Sequence, residues 1–397
     1  MRFATRMSRL GTESAFEVLA HARRLEAEGK SVIHLEIGEP DFSTPENIIE
    51  AAHQAMLGGA THYTPAAGLP QVREAIAAQT SRRGGIEVSP AQVVVVPGSK
   101  NILHFALLAL IEPGDEVILP DPGYPVYRSL IDFVGAAARP VLIRQEADFR
   151  MDLDEVARTI TPKTRMIIIN SPQNPTGGVM TESDLDRLAE LVLEHDLWVV
   201  SDEIYSEICF QDLPRPIWGR PGLAERTIIM DGFSKTYAMC GWRLGYGVMP
   251  VELAERMTTL LINTSSCAAA FSQLAGVEAL EAEASERAVE KMVAAFRSRR
   301  DVLVNGLNQI PGFECHLPAA SFYAFPKVTA TGISSRDLAE RLLVEAGVAA
   351  VAGEAFGAYG EGHLRFAYTV SEAQIADALE RIAAFVESAA PAPVGSL

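Results

Sequence analysis

The chain has 397 residues, 48% apolar and 21% charged, the composition of a folded globular protein whose length calls for two domains around one dominant core. Its formal net charge of −17 excludes a general nucleic-acid surface, which needs a basic face, but leaves room for a local cationic pocket. The four cysteines, Cys209, Cys240, Cys267 and Cys315, form no C-x-x-C pair and read as reduced thiols.

In chain order, "MRFATRMSRLG" lacks the apolar core of a signal peptide, and a helix is predicted over Ala15 to Lys30 from apolar residues at helical spacing. The longest apolar run, "ILHFALLALI" from Ile102, is half the length a bilayer span needs, so a cytoplasmic protein with no membrane partner is expected. Short, nearly continuous β-branched runs follow: "VVVVP" from Val93, "EVILP" from Glu116, "RMIIIN" from Arg165, "LWVVSD" from Leu197 and "TIIMD" from Thr227. Continuous rather than alternating hydrophobicity indicates strands buried on both faces. Helical patterns lie between most of them, such as "ESDLDRLAELVLEHD" from Glu182. The fold class expected is therefore α/β: a doubly wound, mostly parallel sheet in a large domain, with a smaller α+β domain. The expected boundaries are 1–45 for an N-terminal arm and part of the small domain, 46–285 for the large domain, 286–388 for the C-terminal small domain and 389–397 for a disordered tail.

Polar or glycine-rich punctuation follows the carboxyl end of nearly every strand: "PGSKN", "PDPGYP", "NSPQNPTGG", "SDEIY" and "DGFSK". In open α/β sheets ligands sit outside those ends, so five such loops converge on one crevice. Two cations stand out there, Lys235 and, eight positions on, Arg243. An unpaired lysine is rarely buried.

These loops resemble class I/II aminotransferases of the aspartate-aminotransferase family, the fold-type-I enzymes that use pyridoxal 5′-phosphate (PLP), from about Ile33 to Thr369. The resemblance implies that Lys235 bonds the cofactor aldehyde and later serves as general base, a role served by the neutral amine. It implies that Arg243 holds the cofactor phosphate, aided by Ser234 and by the Ser99 and Lys100 amides at a helix start, where unpaired N–H groups favour anions. Many relatives carry a further serine where this chain has Gly232. Asp202 is assigned to the pyridinium nitrogen, Tyr205 and Asn174 to the ring oxygen, and Tyr124 to the ring face. Tyr63 corresponds to the tyrosine that reaches the phosphate of a neighbouring subunit, which implies a homodimer with shared active sites. Gly38, Asn174 and Arg365 are assigned to the substrate α-carboxylate. No metal site is expected.

The implied activity is ping-pong transfer of an amino group from an L-amino acid to a 2-oxo acid, of broad aspartate, alanine or aromatic type. Asn263 to Gln273 offers no arginine for a distal carboxylate, and Lys100 is the available substitute. A PLP-dependent β-elimination lyase, decarboxylase or synthase of the same fold would use the same constellation. A PLP-binding transcription regulator is disfavoured, since about thirty residues precede "IHLEIGEPDF" and the chain is acidic. A nicotinamide dehydrogenase is disfavoured by the lack of G-x-G-x-x-G after a strand.

Overall fold

A computed structural model describes residues 2–389, so the expected tail lies, beyond Ala389, outside the described residues. The strands are β1 (Ile33–His34), β2 (Val93–Val96), β3 (Glu116–Asp121), β4 (Ala137–Leu142), β5 (Thr164–Asn170), β6 (Trp198–Asp202), β7 (Thr227–Gly232), β8 (Gly245–Val248), β9 (Tyr323–Ala324), β10 (Val348–Ala349), β11 (Val351–Ala352) and β12 (Leu364–Ala367). The helices are α1 (Ser14–Ala27), α2 (Glu46–Leu57), α3 (Pro70–Gly84), α4 (Lys100–Leu110), α5 (Pro125–Val134), α6 (Leu153–Thr159), α7 (Glu182–Glu194), α8 (Val251–Thr264), α9 (Ala270–Glu281), α10 (Glu283–Leu307), α11 (Ser335–Arg341) and α12 (Glu372–Ala389).

Seven strands form the main sheet in the order β2-β8-β7-β6-β5-β3-β4. All neighbours are parallel except β8, which runs antiparallel to both β2 and β7. Both faces are covered, and the four valines of β2 show why its hydrophobicity is unbroken. Val94 and Val96 pack with Ile168, Val200 and Ile228 on the face of α4, α5 and α8. Val93 and Val95 pack with Ile167, Val199 and Ile229 on the face of α2, α3, α7 and α9. Each such side chain, fully withdrawn from water, contributes about 1.5–3 kcal/mol.

A third core gathers α10, α12 and the three-stranded sheet β11-β12-β9 around Phe296, Phe322, Phe366 and Tyr368. Ile33 and Leu35 of the N-terminal segment enter this core, and β1 pairs in parallel with β10 through Ile33 and Val348. The segment ending at Gly38 is thereby held against the C-terminal part of the chain. Among the described residues no helix is long and apolar enough to cross a membrane.

Candidate active site

The register of the main sheet sets the floor of the site. Asn170 at the end of β5 pairs with Asp202 at the end of β6. The Asn170 amide donates to the main-chain oxygens of Asp202 (3.0 Å) and Pro172 (2.9 Å), and its oxygen accepts from the main-chain N–H of Asn174 (2.9 Å). One buried amide thus fixes both the aspartate and the loop that presents Asn174. The Asp202 carboxylate is 3% exposed and accepts from the Tyr127 hydroxyl at 2.5 Å and from the main-chain N–H of Ile204 at 3.3 Å. Burial pushes its carboxyl up to about 7, because the charged form loses its water.

From the loop after β7, the Lys235 Nζ donates to the main-chain oxygen of Gly38 at 2.5 Å and stands 3.6 Å from the Cys240 sulfur. Arg243 follows, in a left-handed conformation with φ 53°, and its guanidinium donates to the Cys240 carbonyl at 2.8 Å. It lies across Gly98, where an added Cβ would stand 2.1 Å from Nη2, and Gly98 itself has φ +90°. A Cβ at Gly245 would stand 2.3 Å from the Ser99 nitrogen, so the start of α4 rests directly on β8. Two glycines therefore bring the helix start and the Arg243 guanidinium together.

Arg365, on β12, is 4% exposed. It donates to the Asn174 side-chain oxygen at 3.3 Å and to the main-chain oxygen of Glu36, and its guanidinium lies 4.6 Å from the centre of the Tyr323 ring and 4.9 Å from that of Phe356. Its Nε is buried with no partner among the described residues. The hydrogen bonds of Arg243 and Arg365 all go to neutral oxygens, so neither guanidinium meets a carboxylate among the described residues. Tyr205 is buried and shares a 3.0 Å hydrogen bond with the Tyr323 hydroxyl. Gly38 passes close to that hydroxyl, for a Cβ there would lie 1.9 Å from it.

At the cleft's mouth Lys100 is half-exposed and ion-pairs with Glu13 of the N-terminal segment, which also accepts from the Tyr124 hydroxyl at 3.1 Å. Tyr124 packs edge-on against Tyr127, with ring centres 5.5 Å apart.

One cleft of about 440 Å³ is lined by Gly38, Ser99, Lys100, Tyr124, Asn174, Asp202, Tyr205, Ser234, Lys235, Arg243 and Arg365, eleven of the twelve residues singled out from the sequence. The twelfth, Tyr63, does not line it and is 89% exposed. Sequence reasoning missed Glu13, Tyr127, Asn170, Cys240 and Tyr323, which line the same cleft. Tyr127 lies in the first turn of α5, three residues after its N-cap Tyr124, and no motif marked it.

A cleft with two amines, one buried acid and two guanidinium groups without carboxylate partners among the described residues suits a guest carrying more than one negative charge. A profile of the family described as aminotransferase class I and II matches residues 30–382. An aspartate aminotransferase of Pyrococcus abyssi is 39% identical over 355 residues, 89% of this chain and 91% of that protein. An aromatic-amino-acid aminotransferase 2 of Thermococcus litoralis is 38% identical over the same shares, 89% and 91%. The solved structure of aspartate aminotransferase from Thermus thermophilus with maleate matches with a TM-score of 0.93 at 37% identity, covering 97% of this chain and all of that one. The resemblance read from five loops thus extends along the whole fold, and the chain belongs to the class I and II aminotransferase family and is itself an aminotransferase.

Proposed function

We propose that the cleft takes pyridoxal 5′-phosphate on Lys235 and passes the amino group of an L-amino acid to a 2-oxo acid. The observation that carries this reading is the pair of guanidinium groups without carboxylate partners, Arg243 beside the start of α4 and Arg365 beside Asn174, with Lys235 and Asp202 in the same cleft. The fit to the cofactor is specific. The side of the cleft formed by Ser99, Ser234 and the Arg243 guanidinium, which is seated over Gly98, suits a phosphate dianion. The Asp202 carboxyl, raised by burial, becomes a stable carboxylate once a cationic ring nitrogen faces it. Tyr205 and Asn174 supply donors for a ring oxygen, and Tyr124 supplies a flat aromatic face.

When bound, the cofactor supplies an aldehyde to receive the amino group and a ring to hold the electron pair released at the substrate Cα. The chain does the rest by placement. Arg365 and Asn174, with the main chain at Gly38, hold the α-carboxylate and fix which Cα substituent faces Lys235. The Lys235 amine, held beside Gly38 and Cys240, would take the proton from Cα and deliver it to the carbon that had been the cofactor's aldehyde. Asp202 holds positive charge on the ring nitrogen, and the Tyr127 hydroxyl keeps its carboxylate oriented. The purified protein, titrated with a panel of amino acids, should lose absorbance between roughly 360 and 430 nm with its true donors and regain it with its acceptors. A protein that binds no PLP would overturn this reading.

Substrate choice follows from the cleft's mouth. We assign Lys100 to the distal carboxylate of acidic substrates, with Glu13 yielding its place, and the aromatic wall of Tyr124 to neutral or aromatic side chains. The maleate named with the Thermus structure and the aromatic-amino-acid enzyme among the relatives support a broad aspartate, alanine or aromatic type. Lys100→Met should raise KM for dicarboxylic substrates roughly 5- to 10-fold, the worth of one part-exposed charge contact, while KM for aromatic substrates changes less than about 2-fold. Steady-state kinetics with both classes checks it, and a uniform change would remove the assignment.

Gly98→Ala should weaken PLP binding roughly 10- to 100-fold, because the new methyl displaces the Arg243 guanidinium and the residue sits at φ +90°. Equilibrium dialysis of the apo-protein measures it. The exposed Tyr63 suits a tyrosine that completes a second subunit's site, so a homodimer is proposed. The division of the chain at 45 and 285 into an arm, a large and a small domain, and a cytoplasmic location, belong to the same reading.

A further inference from the structure

We propose that Arg83, on the face of the sheet opposite the cleft, is a positioning residue for amino transfer: by gripping Glu203 and Asp231 it sets the spacing between Asp202 and Lys235. The inference rests on the cofactor reading above.

Glu203 directly follows the last residue of β6, and its partners place it on the side away from the one Asp202 faces. Asp202 meets Tyr127 of α5, whereas Glu203 accepts from the Trp218 indole at 2.7 Å and from the Ser201 hydroxyl at 2.8 Å. From the end of α3 the Arg83 guanidinium reaches both strands. Its Nη2 donates to Glu203 at 2.6 Å and its Nη1 to Asp231 at 3.2 Å, with the more exposed Glu207 at 3.8 Å. Asp231 also accepts from the main-chain N–H of Gly232 at 2.7 Å and from the Tyr246 hydroxyl of β8 at 3.2 Å. Glu203 and Asp231 are 4% and 5% exposed, so both carboxylates depend on these partners.

Each acid neighbours a residue of the site. Glu203 directly follows Asp202, and Asp231 precedes Lys235 by four residues. The fork therefore ties the end of β6 to the end of β7, the strand that leads into the loop carrying the amine, next to the main-chain bond from Glu203 to the Met230 carbonyl at 2.9 Å. Two buried carboxylates around one cation contribute little net stability compared with an apolar filling of equal volume. What a planar two-armed donor does contribute is a fixed geometry. A displacement of about 1 Å between reacting groups lowers rates as much as 100-fold.

The test compares full-length wild type with Arg83→Lys and Asp231→Asn. Lysine keeps the charge and so spares folding, but its ammonium is a point donor that cannot span both acids. Apo-protein is mixed with PLP, and the rate at which the lysine-linked absorbance appears is followed by stopped flow. Both variants should link the cofactor roughly 10-fold more slowly than wild type and lose about the same factor in kcat per folded molecule, with KM within about 3-fold. If both variants fold and link PLP at the wild-type rate, Arg83 is structural only and the proposal fails. If wild type itself never links PLP, the cofactor reading fails with it. Should Arg83→Lys not fold, Asp231→Asn alone decides by the same two readouts.

Discussion

On the function proposed above, Lys235→Ala should abolish the absorbance of lysine-linked PLP and lower kcat by roughly 10⁴-fold or more, the combined loss of the covalent anchor and of the group that moves the Cα proton. Among the described residues, Lys235 is the lysine whose amine reaches into the cleft beside Gly38. Its Nζ lies 2.5 Å from the Gly38 oxygen and 3.6 Å from the Cys240 sulfur, while the cleft's other lysine, Lys100, is held at the mouth by Glu13. Borohydride treatment of wild type loaded with PLP should leave the cofactor's mass on the peptide containing residue 235 and on no other. The alanine variant should still bind PLP reversibly, because Arg243, Ser99 and Asp202 remain. Appreciable turnover by that variant, or label on Lys100, would transfer the role to another amine. Exogenous small amines should restore part of the rate, since the pocket keeps its shape.

Much of this arrangement was legible before any coordinates, for a physical reason. Strands β2, β3, β5, β6 and β7 are covered on both faces, so burial wrote unbroken β-branched runs, and the loops at their carboxyl ends contribute residues to the cleft. Two strands of the same sheet escaped notice. Strand β4, "AARPVL", lies at the edge with alternating exposure and a proline, and β8, "GYGV", holds two glycines because Ser99 and Ile102 press on it. The missed site residues share a different cause. Tyr323 stands in the aromatic run "SFYAF", which reads as core, and its partner Tyr205 is 118 residues away. Glu13 lies in a segment with no strand or loop signal, and only the fold brings it to Lys100 and Tyr124. Contacts between distant segments leave no local pattern to read. Tyr63 is the converse case: a motif named it, and a single chain leaves it exposed.

Arg365 is the site's most costly residue, and its replacement separates binding from stability. A cation that is 4% exposed, with an orphan Nε and no carboxylate partner among the described residues, has lost water without gaining a counter-ion. Its hydrogen bonds to Asn174 and Glu36 and the flanking Tyr323 and Phe356 rings aim it but do not neutralise it. On the function proposed above, the anion that meets Arg365 is the substrate's α-carboxylate. Arg365→Leu should therefore lower kcat/KM for every amino acid and every 2-oxo acid by roughly 10²- to 10³-fold, the cost of losing one partner of a buried charge pair. Because the grip is common to all substrates, the loss should be uniform across acidic, neutral and aromatic side chains, unlike that of Lys100→Met. Arg365→Lys should recover a part of it, as a single ammonium replaces a two-armed donor. Without substrate the leucine variant should melt no lower than wild type, since it removes an uncompensated charge from the interior. Adding maleate or another dicarboxylate should then raise the melting temperature of wild type and leave the variant's unmoved. A variant that melts far lower yet keeps its KM would make Arg365 a structural cation, and the substrate's carboxylate would have to be held elsewhere in the cleft.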